Sequence, residues 1–464
     1  MSRGKDLLKN TGILIVAKIS TQFVSFLLLP LYTALLSTTE YGEIDIYTSL
    51  VMIVVPFLTL QLEMGMFRFF ITEKSNTNRC KIISTTFTIS FFTVVVASDI
   101  YAVIATLCEL KYAAYIGGYY ISMIVSTVLL QVCRAYGNNK AYGFASFLGS
   151  ALTVCLNVLF IAGLHWKVEG ILLSSTIAQF VSAFYIIGRT KVFQYYNIKY
   201  VDKKVAKKLL KYSVPLIFNQ VSSWAINYSD RIIILNAWGV SANGIYSLAN
   251  KFSNITNTFF NVFNIAWTEN VVRSMNDRDN IKYINRVFKL IYNIYLVIIT
   301  GIVNLLPFFF SILVNSNYNN AYGHVPILLF AMFFSGMAAT IGSVYIAYGK
   351  TKGVSVTTIL AGVCNIVIHL LLLKSAGLYA ASISTLISFG LLFVYRYQFV
   401  RKFFPLHIQF CYMVPQICIY VLSSVFYISG NSIMIVLGLL LNLMYIGYII
   451  LQNKELVLSL AKKK

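Results

Sequence analysis

Residues 222–251 read SSWAINYSDRIIILNAWGVSANGIYSLANK. Two largely apolar arms flank a short segment around Gly239, and three charges sit within them: Asp230, Arg231 and Lys251. Extended outward, the arms become apolar blocks at 213–237 and 242–272. About 20 apolar residues as helix cross ~30 Å of hydrocarbon. Amphipathic periodicity is weak in both blocks, so neither reads as a half-buried soluble helix. The stretch predicts a membrane-spanning helical hairpin with its turn near Gly239.

The rest of the chain repeats the pattern. Of 464 residues, 58% are hydrophobic and 11% charged, where soluble chains are roughly a quarter charged. Fourteen spans are expected near 10–36, 44–70, 82–107, 112–133, 142–163, 168–188, 213–237, 242–272, 290–313, 322–348, 354–373, 377–395, 408–427 and 433–451. No Ala-x-Ala-type cleavage site follows the first block, which therefore reads as a span and not as a removed signal. The fold class is an all-α integral membrane protein with 14 transmembrane helices.

Charge sets the orientation. Of the 37 Lys and Arg, only Lys111, Lys167 and Lys374 fall on one set of alternate loops, and Lys18, Arg68, Arg231 and Lys251 fall inside spans. The remainder lie on the other set, which the positive-inside rule places in the cytoplasm together with both termini. The net charge of +22 is thereby a basic inner face meeting anionic membrane lipids, and no nucleic acid is needed as a partner. Seven cysteines show no CxxC pair or His-linked spacing; they read as packing residues and predict no metal.

The longest inner segment, 189–211, ends in VDKKVAKKLLKY. Val201, Val205 and Leu209 recur four apart among lysines, the pattern of a short basic helix lying flat on the inner leaflet or of a solvated connector with snorkelling lysines. Beyond it the chain begins again. LLKN at 7–10 matches LLKY at 209–212, and the same offset puts Gly42 on Gly244. Each glycine is expected to close the outer turn of a hairpin. A repeat of an even number of spans keeps its polarity, so the halves read as parallel pseudo-repeats.

Two hairpins carry a family resemblance. LLKNTGILIVAKISTQFVSFLLLPLYTALLSTTEYGEIDIYTSL (7–50), followed by QLEMGMFRFF (61–70), resembles the opening of the polysaccharide flippase family of the O-antigen and capsule repeat-unit type. NYSDRIIILNAWGVSANGIYSLANKFSNI (227–255) resembles the start of that family's second lobe. The superfamily also holds multidrug/cation antiporters and the lipid II flippase. The resemblance implies two six-helix lobes around a central cavity, here 1–188 and 212–400, with 189–211 as connector and 401–464 as two extra spans and a tail. It implies alternating access in the bacterial cytoplasmic membrane, coupled to H⁺ or Na⁺ with no other cofactor. The implied cargo is an undecaprenyl-diphosphate-linked oligosaccharide, with polysaccharide polymerase and chain-length machinery as partners. The first lobe departs from the lipid II flippase pattern, because Lys18 replaces the several cavity arginines expected there.

The intramembrane charges are the candidate site. Arg231 lies eight residues before Gly239 and Lys251 twelve after it, so both sit roughly 12–18 Å down neighbouring helices. Asp230 and Arg231 point about 100° apart and cannot pair along the helix. Asp230 bridges to Lys251, or Arg231 and Lys251 attract the diphosphate from a wet cavity with Asp230 orienting one of them, and the two readings are compatible. Lys18 and Glu63 share a depth in the first hairpin; they bridge, or Glu63 exchanges the coupling ion. Glu269 is a second coupling candidate. Arg68 and Arg134 read as lipid anchors near the inner boundary. An enzyme is not expected, since the outer loops are short and no P-loop, zinc spacing or nucleophile elbow is present. The alternative is a multidrug/cation antiporter of the same superfamily.

Overall fold

The computed structural model describes residues 26–407 and 410–452. Among them every regular element is helical, in the order Leu29–Leu35, Thr38–Leu58, Leu62–Thr72, Asn76–Leu107, Ala113–Ala135, Asn139–Asn157, Val168–Thr190, Lys203–Arg273, Asn280–Leu313, His324–Ala347, Thr351–Ala376, Tyr379–Val400, Phe410–Ser429 and Ser432–Gln452, with short 3-10 and π segments between some of them. Twelve of the described helices are long and apolar enough to cross a membrane. Backbone groups satisfied within each segment are what a lipid setting demands; the chain is a multi-pass membrane protein. The expected fourteen are not reached in this count. Span 10–36 begins outside the described residues, and Trp224–Arg273 counts once although Gly239 interrupts it.

That interruption follows from the residue. Gly239 has φ 82° and ψ −177°, a backbone region essentially restricted to glycine, and it separates two helical arms, 203–238 and 240–273. The earlier turn uses side chains instead. Ser37 caps Thr38–Leu58: its Oγ accepts from Glu40 N at 3.2 Å while its own N–H donates to Glu40 Oε2 at 2.8 Å, a reciprocal cap. Contrary to the expectation from sequence, Gly42 and Gly244 therefore do not close the turns; they stand in the helices just past them.

A second difference is a break in the expected span 44–70. Helix Thr38–Leu58 stops, Leu60 (φ 51°) and Gln61 (φ 52°) are both left-handed, and a new helix runs Leu62–Thr72. Left-handed non-glycine residues store strain of order 1–3 kcal/mol each. Pro56, four residues earlier in the chain, has no N–H to donate to the helix there.

By contact the chain forms two compact units, residues 1–244 and 245–464. The first has its core at Met66, Phe70, Ile83, Val132, Ala145, Ala183 and Ile186. Small residues set the approach of its helices: Ser182 Oγ donates to the Ala145 carbonyl at 2.8 Å, as membrane helices pack on small faces. The helix Asn76–Leu107 turns Phe91, Phe92, Val96 and Ile100 outward, an apolar surface suited to lipid.

The basic stretch after 200 is corrected by this unit. It is the first part of the long helix Lys203–Arg273, and Leu209 is fully buried against Gly65. Val205 packs against the same core, so these two residues face protein, while Val201 precedes the helix and is exposed. The preceding segment is tied down by polar side chains of Asn76–Leu107. Ser84 Oγ accepts from Asn197 N at 2.9 Å, Thr85 Oγ1 accepts from Asp202 N at 3.1 Å, and Lys81 Nζ bonds Asp202 Oδ2 at 3.0 Å.

In the second unit His324–Ala347 is the most enclosed helix, packed on Tyr379–Val400. The last two helices are anchored on Asn280–Leu313. Tyr292 Oη donates to the Met413 carbonyl at 2.9 Å, and Asn304 Nδ2 donates to the Gly438 carbonyl at 3.0 Å. Tyr322 and Tyr427 stack 3.9 Å apart, each hydroxyl bonding the other's carbonyl.

Candidate functional site

Thr38, Gly42, Asp45 and Ser49 share one face of helix Thr38–Leu58 through their three- and four-residue spacing. Trp224, Tyr228 and Arg231 do the same on the arm before Gly239. The two faces meet in rungs. Trp224 Nε1 donates to the Ser49 carbonyl at 2.7 Å, and Arg231 Nε donates to Asp45 Oδ2 at 2.7 Å. Beyond Gly239, Asn243 Nδ2 reaches both the Gly42 carbonyl and Asp45 Oδ2 at 3.3 Å, and Thr38 Oγ1 meets Ser241 Oγ at 2.7 Å.

Close approach here requires glycine. A Cβ on Gly42 would overlap the Val240 carbonyl oxygen and stand 3.0 Å from Gly244 N. A Cβ on Gly244 would overlap the Thr38 carbonyl oxygen and stand 3.1 Å from Gly42 N. Backbone meets backbone on both sides of the seam.

Arg231 is held from several directions. Besides Asp45, its Nη1 donates to the Asn227 carbonyl at 2.8 Å and its guanidinium lies 4.6 Å from the centre of the Tyr228 ring. Side-chain exposure is 7% for Arg231 and 15% for Asp45, so the pair is largely out of water. At that depth a lone charge is costly and the partner decides whether it persists. Asp45 is not among the residues that sequence spacing singles out. A signal was present: Asp45 lies eight residues past Ser37, and Arg231 eight before Gly239.

The other expected residues are spread over the chain. Asp230 is buried, and Lys251 is half-buried in the arm after Gly239. Lys18 lies outside the described residues. Glu63 is 1% exposed in the first turn after the broken helix, and among the described residues its Oε2 has no hydrogen-bond partner. Glu269 is more open and pairs with Arg273 one turn on. Of the two bases expected as anchors, Arg68 lies 4.4 Å from the Tyr212 ring centre, and Arg134 donates to Gln131 Oε1 at 3.1 Å. Among the described residues no group of three His, Cys, Asp or Glu stands ready for a metal.

Sequence reasoning also missed Arg396, which charge alone places on an inner segment as a loop base. It is 5% exposed. Its Nε donates to Thr357 Oγ1 at 3.0 Å, Nη1 to the Ala338 carbonyl at 2.9 Å, and Nη2 to Thr358 Oγ1 at 2.8 Å and the Val354 carbonyl at 3.2 Å. The planar fork of a guanidinium can serve acceptors on several sides at once, and here it clamps three helices at one end of the second unit. Outside the spans, Asp202 has its carboxyl held below the usual aspartate range by the Lys81 ammonium and then by the Lys204 and Val205 amides.

Solved structures share this architecture. The lipid II flippase MurJ in an inward closed conformation aligns with 97% of this chain and 100% of its own, at TM-score 0.73 and 15% identity. An inward-facing multidrug resistance MATE family transporter of the MOP superfamily aligns with 84% of this chain and 98% of its own, at TM-score 0.68 and 13% identity. A MOP superfamily transporter from Pyrococcus furiosus covers 85% and 96%, at TM-score 0.58 and 14% identity. At these identities the likeness establishes the fold. No curated protein matches the sequence. A family model described as polysaccharide biosynthesis protein matches residues 7–268, more than half of the chain and the whole of the Thr38–Gly244 seam, and the chain belongs to that polysaccharide biosynthesis protein family.

Proposed function

We propose that the protein carries an undecaprenyl-diphosphate-linked oligosaccharide repeat unit from the inner to the outer leaflet of the bacterial cytoplasmic membrane. Transport proceeds by alternating access with both termini cytoplasmic, driven by an H⁺ or Na⁺ gradient. The product then passes to a polysaccharide polymerase and its chain-length machinery. The supporting observation is the buried Arg231–Asp45 pair beside the Gly42–Gly244 seam, in a chain of the polysaccharide biosynthesis family.

The chemistry runs through exchange of anions. A diphosphate offers more charge and more acceptor oxygens than one carboxylate, so it competes with Asp45 for the Arg231 fork. Once Arg231 turns to the diphosphate, Asp45 loses that cation and, among the described residues, keeps the long Asn243 contact. The seam then loses its central rung when cargo is bound, which links loading to opening. Lys251, Asp230 and Lys18 supply further charge along the route, and Glu63 and Glu269 are the coupling carboxylates.

The test is reconstitution of the purified protein in liposomes with a fluorescent undecaprenyl-diphosphate oligosaccharide. Wild type moves the label to the opposite leaflet and Arg231→Ala does not. Normal movement by Arg231→Ala and Asp45→Ala together would remove the pair from the pathway. Ion-coupled export of cationic drugs without lipid movement would establish the antiporter reading, in which Asp45 and Glu63 are the acidic groups that hold the drug.

A further inference from the structure

We propose that the second unit carries a dedicated site for an anionic phospholipid, in a cavity between the start of helix Asn280–Leu313 and the start of helix Phe410–Ser429. The cavity measures about 400 Å³. Lys282, Arg286 and Lys289 all line it, and their spacing of four and three places them on one helical face. Among the described residues no acidic residue lines it. Among the described residues none of the three bases takes part in a salt bridge.

The walls are built. Lys289 Nζ stands 3.8 Å from the centre of the Tyr412 ring, and Tyr412 Oη bonds Asn293 Oδ1 at 3.1 Å. Asn285 pins the chain before the next helix by accepting from His407 N at 2.7 Å and donating to the Pro405 carbonyl at 3.1 Å. Beneath the basic rim the lining is mostly apolar, with Phe288 and Met413 buried. A soluble anion would leave that floor without contacts. A phospholipid satisfies both parts, its phosphate among the bases and the upper part of an acyl chain on the floor. A zwitterionic headgroup would bring an ammonium against three positive charges. The cargo reading bears on this site only through the side of the membrane it faces, because both walls come from segments assigned inside by the charge pattern.

The experiment uses the purified full-length protein and measures lipid retention by native mass spectrometry and thermal stabilisation. The probes are phosphatidylglycerol, phosphatidylcholine and inorganic phosphate. Wild type retains phosphatidylglycerol and is stabilised by it, with little response to the other two. Each base removed weakens the lipid by about fivefold, so Lys282→Gln/Arg286→Gln/Lys289→Gln loses the preference. Lys282→Arg/Lys289→Arg keeps it. If the triple variant does not fold, Arg286→Gln alone is read in the same way. Undiminished retention in the Gln variants, or equal stabilisation by inorganic phosphate, would overturn the proposal. Neither readout involves transport, so failure here is separable from failure of the flippase reading.

Discussion

Gly42 and Gly244 pack against each other with their amide nitrogens at the point of contact, and the contact is reciprocal. Gly42 abuts Val240 while Gly244 abuts Thr38, and Thr38 precedes Gly42 by the same four residues that separate Val240 from Gly244. Equivalent positions of the two sequence-matched hairpins thus meet as a self-complementary pair, the form of contact a two-fold axis generates.

The seam predicts its own sensitivity. Gly42→Ala or Gly244→Ala places a methyl group on a backbone carbonyl, which no side-chain rotation relieves, and overpacking of this kind costs about 1–3 kcal/mol. Cross-linking of Thr38→Cys with Ser241→Cys, whose hydroxyls are 2.7 Å apart in the native pair, measures closure. Oxidation should link the two cysteines efficiently in the glycine background and several-fold less in either alanine background. Equal cross-linking would mean that the seam tolerates a Cβ.

Arg231 and Asp45 should behave as one unit. Removing one member of a buried pair leaves an uncompensated charge and costs about 3–5 kcal/mol. Asp45→Ala and Arg231→Ala should therefore each lower the melting temperature in detergent, while the double mutant recovers most of the loss. Transport separates the roles. The double mutant should remain inactive, because Arg231 is needed for the diphosphate as well as for Asp45. Restored transport in the double mutant would reduce the pair to a structural bridge.

Arg396 offers a stability test away from the seam. Its guanidinium serves four acceptors on two neighbouring helices. An ammonium has three donors and no planar fork, so Arg396→Lys leaves buried acceptors unpaired at about 1–3 kcal/mol. Thermal unfolding should show a drop of several degrees with the fold retained. An unchanged melting temperature would mean that water or Lys replaces the fork.

The difference between what the sequence disclosed and what it withheld has a physical basis. Apolar runs of about 20 residues, and Gly239 between two of them, disclosed the helices and the kink because burial in lipid acts on composition directly. The offset joining Gly42 to Gly244 was also legible, although their mutual contact was not. The break at Leu60 and Gln61 was only hinted at, by Pro56 just before it and by the polar Thr59, Gln61 and Glu63 around it, since neither Leu60 nor Gln61 favours a left-handed backbone. Asp45 and Arg396 were overlooked for another reason. Each is near the end of a span, where a charge ordinarily reaches water, and only distant partners (Arg231, Ala338, Thr357) reveal that these two do not.

Glu63 gives the sharpest test of ion coupling. It sits 1% exposed beside the left-handed Leu60–Gln61 step, with one carboxylate oxygen unpartnered among the described residues. A buried carboxylate without a full set of partners is destabilising unless it binds a proton or a cation. Gain and loss of that ion next to a strained helix break gives the break two arrangements to choose between. Glu63→Gln keeps the shape and removes the charge change. It should leave thermal stability unchanged or raised, and should leave downhill lipid movement in liposomes intact. What should vanish is the acceleration produced by an imposed pH or Na⁺ gradient. If Glu63→Gln still responds to the gradient as wild type does, the coupling site lies elsewhere, and the break at Leu60–Gln61 serves the bend of the helix alone.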